Sequence, residues 1–163
     1  MVGVNPGIRG QGSGVKNMPL KRKQHWATRA YHHFLPSRAK MPFEWGKHDC
    51  ALFAADGIEA ITGVDIAAEF RGQYSDEAGA WKAIQTITGG ETVEDAAAWC
   101  AARHGLAELP LPLFAQRGDL CIVEDSGRLI AGLVHLSGRH IVAAGEDGLH
   151  RLPITAIKRA WRV

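Results

Sequence analysis

The feature that most constrains this chain is a change of hydrophobic period at the proline-rich bridge Leu109-Pro110-Leu111-Pro112. Upstream, apolar residues recur every three or four positions, the spacing of one helix face. Downstream, short β-branched runs are separated by glycine turns, the pattern of antiparallel strands. Helices first and an antiparallel sheet afterwards define an α+β fold.

The upstream part divides into four helical stretches. Trp26, Ala30 and Phe34, flanked by Tyr31 and Leu35, form an apolar stripe that Pro36 is expected to end. The next helix is expected to run from about Asp49 to Ile61, with Asp49 at or near its N-cap. It should bury Phe53, Gly57 or Ile58, and Ile61, and stop at Thr62-Gly63. Ser75 opens a third helix through Ala78, Trp81 and Ile84, and Thr92 with Asp95 forms a capping-box-like start to a fourth, which reaches His104-Gly105. Downstream, strands are expected at 120–123, 129–136, 140–144, 149–152 and 160–163, with turns at Asp125-Ser126-Gly127, Ser137-Gly138 and Gly145-Glu146-Asp147-Gly148.

At 163 residues and 46% hydrophobic, the chain suits one domain with a substantial core. Nineteen basic residues against seventeen acidic ones leave a net charge of +2, which gives no reason to expect nucleic acid or an anionic membrane as partner. No stretch reaches the length and apolarity of a membrane span, and Met1 to Gly14 lack the apolar core of a signal peptide, so the expectation is a protein made and folded in a cytoplasm. Residues 1–23 carry five glycines and the basic cluster Lys21-Arg22-Lys23 with few large apolar side chains. They read as a flexible arm, either a disordered tail or a segment ordered by a neighbouring subunit, preceding a domain over residues 24–163.

The chemistry concentrates at Phe43-Glu44-Trp45-Gly46-Lys47-His48-Asp49-Cys50, where a loop turns into a helix. A cysteine there meets the free N–H groups and positive end of the helix dipole, which favour thiolate and make Cys50 a candidate nucleophile. The competing reading is a small packed side chain. Cys100, between Trp99 and Ala101, reads as structural. The three cysteines lack the close spacing of a metal or iron–sulfur ligand set, so no metal and no cofactor is expected.

Asp49-Cys50-Ala51-Leu52 resembles the Asp-Cys-Ser-Gly-Leu nucleophile motif of NlpC-type cell-wall peptidases, which are papain-like. Arg117-Gly118-Asp119-Leu120 resembles their Gly-Asp-Leu at the first sheet strand, and Gly132-Leu133-Val134 their Gly-Ile-Tyr. Pro42-Phe43-x-Trp45-Gly46-x-His48-Asp49-Cys50, Phe70-Arg71-Gly72-x-Tyr74 and the terminal Ala160-Trp161-Arg162-Val163 are similar to a narrower group encoded among the tail genes of tailed phages and prophages. The resemblance implies a papain-like fold and a virion component of the tail tip or baseplate, assembled in the host cytoplasm. It implies other tail-tip and hub subunits as partners, with host peptidoglycan as a further contact.

The catalytic pattern of those peptidases is incomplete here. Ile130 stands where their His-Val-Gly run has the general base, and the third polar residue falls at Ala143 or Ala144; neither type can move a proton or orient an imidazole. His135 lies about 17 Å further along the strand. It pairs with Arg139-His140 near a hairpin tip, so neither it nor His140 is placed to serve Cys50. His48 is local to Cys50 and is a weak candidate base, with a hydrogen-bonding role in the loop as the plainer reading. Glu146 and Asp147 return towards the Ile130 end but read as turn residues. The sequence therefore favours a structural tail-tip protein with a degenerate site over an active peptidase or amidase using Cys50.

Overall fold

In the computed structural model, which describes residues 19–163, four helices precede a five-stranded antiparallel sheet. The helices are α1 (Ala30–Arg38), α2 (Cys50–Thr62), α3 (Glu77–Thr88) and α4 (Val93–Arg103). The strands are β1 (Leu120–Asp125), β2 (Arg128–Val134), β3 (His140–Gly145), β4 (Gly148–Pro153) and β5 (Ile157–Trp161), in the order β4-β3-β2-β1-β5. The α+β organisation follows the change of period near residue 110.

The helix ends obey local chemistry. Asp49 caps α2 through Leu52 N–H and Gly63 closes it in the left-handed region; Thr92 and Asp95 form the full capping box of α4. The cap of α3 is Asp76, one residue beyond Ser75. Pro36 does not end α1, which continues to Arg38. A proline here forfeits the bond to the carbonyl of residue 32, a residue on the exposed face of the helix.

Alternation along the strands divides the sheet between two clusters. Leu120, Ile122, Leu129, Ala131, Leu133, Val142, Ala144 and Trp161 face the helices, and α2 lies across β2 closely enough that a Cβ on Gly57 would collide with Leu133. Cys121, Val123, Val134, Ile141, Ala143, Leu152 and Ala160 form a second buried cluster on the other face, with Ile130 packed against it.

Pairing is uneven. β1 and β2 pair from Leu120 with Leu133 to Asp125 with Arg128, and β3 and β4 from His140 with Pro153 to Gly145 with Gly148. β2 and β3 pair only at Leu133 with Val142 and Val134 with Ile141. The sheet thus has a seam, closed at the 135–140 turn and parted at the other end.

Residues 1–18 of the expected arm lie outside the described residues. Its last residues pack on the domain instead of standing away from it. Leu20 joins the core, Lys23 N–H donates to the Ile61 carbonyl, and Arg22 donates to Asp119 and to the carbonyls of Arg117 and Val163. A basic residue is drawn in because the buried Asp119 carboxylate needs a counter-charge.

Candidate functional site

Cys50 is the first residue of α2, so its position is set by the Asp49 cap, and Asp49 is set in turn by the loop before it. One Asp49 oxygen accepts from Leu52 N–H at 2.9 Å; the other accepts from Gly46 N–H at 3.0 Å and from the Tyr74 hydroxyl at 2.6 Å. Gly46 has φ +78°, and a Cβ there would strike the Tyr74 carbonyl, so glycine is required on both counts. The Phe70-to-Tyr74 motif now has a physical reason. Phe70 is buried against Trp99, Arg71 pairs with Asp56 and Asp65 at 2.7 Å each, and Tyr74 completes the cap that holds the cysteine.

Burial dominates the chemistry of the thiol. It pushes Cys50 up to about 11, with the Asp49 carboxylate adding to the rise, while the N–H groups of Ala131 and Ala51 offset only part of it. The expected thiolate is therefore not favoured: the helix terminus is outweighed by desolvation. Cys100 is pushed up to about 12 and Cys121 higher still, both by burial. An alkylating reagent at pH 7.5 should modify Cys50 about 100-fold more slowly than an unperturbed thiol, since two pKa units remove that fraction of thiolate. Peptide mapping after timed iodoacetamide treatment of native protein measures this; modification at the free-thiol rate would contradict it.

The partner strands bring small side chains to the sulfur. Ala131 of β2 offers its N–H, and Ala144 of β3 lines the same cleft from the parted end of the seam. The expected pair was Ile130 with Ala143 or Ala144. Ala144 is on the cysteine's face, whereas Ile130 and Ala143 belong to the cluster on the opposite face, because strand parity assigns odd positions of β2 and even positions of β3 to the helices.

No imidazole is hydrogen-bonded to Cys50 among the described residues. His48 is 2% exposed and packs edge-on to Phe53 with centroids 5.9 Å apart; neither ring nitrogen has a hydrogen-bond partner. The hydrogen-bonding role expected of its side chain is not what holds it there. The backbone does pair, with His48 bridged to Glu44. Burial and the nearby Arg38 hold its ring below the ordinary histidine range. His135 and His140 stack at the far end of the seam.

The histidine that the sequence reading passed over is His150. It lines the same cleft as Cys50 and lies 3.6 Å from Asp125. Opposite Ala143 in register and on the parity of Leu152, it leaves β4 on the face away from α2. Its approach to Asp125 joins β4 to β1, and no local sequence signal encodes it.

The cleft itself has a volume of 1070 Å³ and a mainly apolar lining that includes Phe43, Trp45, Phe70, Trp81 and Ile84, with Cys50, Asp49 and Tyr74 on one wall. No group of three or more His, Cys, Asp or Glu side chains comes together to hold a metal ion among the described residues, and no helix among them is long and apolar enough to cross a membrane. A family described as a domain of unknown function (DUF6950) matches residues 21–163. No curated protein and no solved structure matches the chain.

Proposed function

This chain belongs to the DUF6950 family, a domain of unknown function, and from its site and motifs we propose a structural subunit of a phage tail tip or baseplate with a papain-like, NlpC-type fold and a degenerate catalytic site. The observation that carries the reading is the surroundings of Cys50. A cysteine at the first position of a helix laid on an antiparallel sheet is retained, while the positions that face it from the neighbouring strands are Ala131 and Ala144. A thiol whose pKa is raised by burial, with no imidazole hydrogen-bonded to it among the described residues, is poorly placed for acyl transfer. The assignment to a tail tip rests on the resemblance of the Pro42-to-Cys50, Phe70-to-Tyr74 and Ala160-to-Val163 motifs to tail-gene products.

The decisive variant is Cys50→Ala introduced into particles that carry the protein. Assembly and infectivity should stay within about twofold of wild type, since a small apolar residue replaces a small half-buried one. Immunogold labelling should place the protein at the tail tip. The second reading is a peptidoglycan-cleaving peptidase or amidase with Cys50 as nucleophile on the wall of the 1070 Å³ cleft. Cleavage of purified peptidoglycan that disappears with Cys50→Ala would establish that reading and end the structural one.

A further inference from the structure

The hairpin tip that closes the seam is built from two histidines and a serine. The rings of His135 and His140 stack with centroids 4.2 Å apart and planes 21° apart. Ser137 N–H donates to His135 Nδ1 at 3.0 Å, and Ser137 Oγ lies 3.2 Å from both Nδ1 atoms while accepting from Arg139 N–H at 3.2 Å. His135 Nδ1 accepts from a backbone N–H, so it carries no proton. Ser137 Oγ can donate to His140 Nδ1 or accept from it, so these contacts fix the tautomer of His135 alone.

We propose that His135, Ser137 and His140 form a proton-operated latch that holds the β2–β3 seam closed when both rings are neutral and releases it when they are protonated. A proton on His135 Nδ1 would face the Ser137 N–H, donor against donor. Two imidazolium rings in this stack would be like charges in direct contact.

The surroundings add no compensating carboxylate. Arg139 lies in the turn itself, Arg151 on β4 stands opposite Val142, and Arg117, in the loop before β1, approaches Gly138. Asp119, in the same loop, is engaged by Arg22 and Arg162. From α1 the neighbouring group is Tyr31, whose hydroxyl donates to the Val134 carbonyl. Among the described residues no carboxylate forms an ion pair with either ring. Burial, the His140 ring and Arg151 hold His135 below its ordinary range, and burial and Arg151 do the same for His140. A base depressed in the folded state stabilises fully above its unfolded value of about 6.5 and loses that contribution as pH falls through the window below it.

The latch matters because the seam has little other backbone pairing. β2 and β3 pair only at the two positions next to the turn, with the His135 N–H to His140 carbonyl bond of 2.9 Å beyond them. Release would separate β3–β4 from β1–β2–β5 starting at the tip and widen the parted end where Ala131 and Ala144 border the cleft.

Amide hydrogen exchange of the full chain at pH 7.5 and pH 5, corrected for intrinsic rates, tests this. Protection at Leu133, His135 and Val142 should fall at least about tenfold at pH 5 in the wild type, with the amides on the β1 side, Val134 N–H to the Asp119 carbonyl among them, little changed. The His135→Asn/His140→Asn variant, which keeps an acceptor near each Nδ1 but cannot take a proton, should hold its protection at both pH values. Imidazole NMR of the wild type supplies an arm that does not depend on the variant folding. His135 should be the Nε2–H tautomer, and both rings should titrate below the ordinary histidine range. Unchanged seam protection in the wild type, equal loss in the variant, or either ring titrating at or above its ordinary value would overturn the latch.

Discussion

Replacing Asp119 by alanine should destabilise the domain by about 3 kcal/mol, near the lower edge of what breaking a buried ion pair costs. The carboxylate is fully buried and accepts from Arg22 Nη2 at 2.8 Å, Gln116 N–H at 2.8 Å and Val163 N–H at 3.2 Å, with Arg162 Nε at 3.2 Å. It ties the segment entering the domain, the loop before β1 and the C-terminal residue to one point. Alanine leaves the buried Val163 N–H and the part-buried Gln116 N–H without an acceptor and two guanidinium groups without a counter-charge. The lower edge applies because Arg22 and Arg162 keep side-chain exposures of 21% and 37%, so water recovers part of their solvation. Urea unfolding should show a lower midpoint with an unchanged slope, and the melting temperature should drop by roughly 10 °C. A shift below about 1 kcal/mol would mean that the three segments are held by apolar packing and not by this carboxylate.

Asp49→Ala should cost about 2 to 3 kcal/mol and should loosen the cysteine loop before the rest of the fold. It removes an N-cap, worth about 1 kcal/mol, and leaves Gly46 N–H and the Tyr74 hydroxyl without their acceptor. Burial and the Asp49 charge hold the Tyr74 phenol above its ordinary range, which keeps Tyr74 the donor in this bond. Asp49→Ser, which restores the cap but not the other two bonds, should recover roughly 1 kcal/mol of the loss. Chemical denaturation of the two variants side by side separates the cap from the loop contacts. If serine recovered everything, Tyr74 and Gly46 would contribute nothing to the placement of Cys50.

The parts of this protein legible in its sequence are those governed by neighbours in the chain. The Asp49 and Thr92 caps, the Gly63 stop, the change to strands after residue 112 and the burial of Phe53, Ile58 and Ile61 follow from dihedral preferences and periodicity, which act over a turn of helix or a few residues of strand. Even the pairing of His135 with His140 was readable, because a short turn fixes its own register.

Tertiary structure decided the rest. Whether Cys50 is a thiolate could not be read from its place at a helix start, because the desolvation that pushes it up depends on how the folded chain packs around the sulfur. Which of Ile130 and Ala131 meets the sulfur turned on strand parity. A shift of one residue exchanges the faces, and a motif resemblance does not fix that phase. Tyr74 on Asp49, Arg22 on Asp119 and His150 beside Asp125 join side chains 25, 97 and 25 residues apart. Those partners are set by how the helices lie on the sheet, since a buried charge or an unpaired donor takes whatever counterpart the packed chain brings within reach.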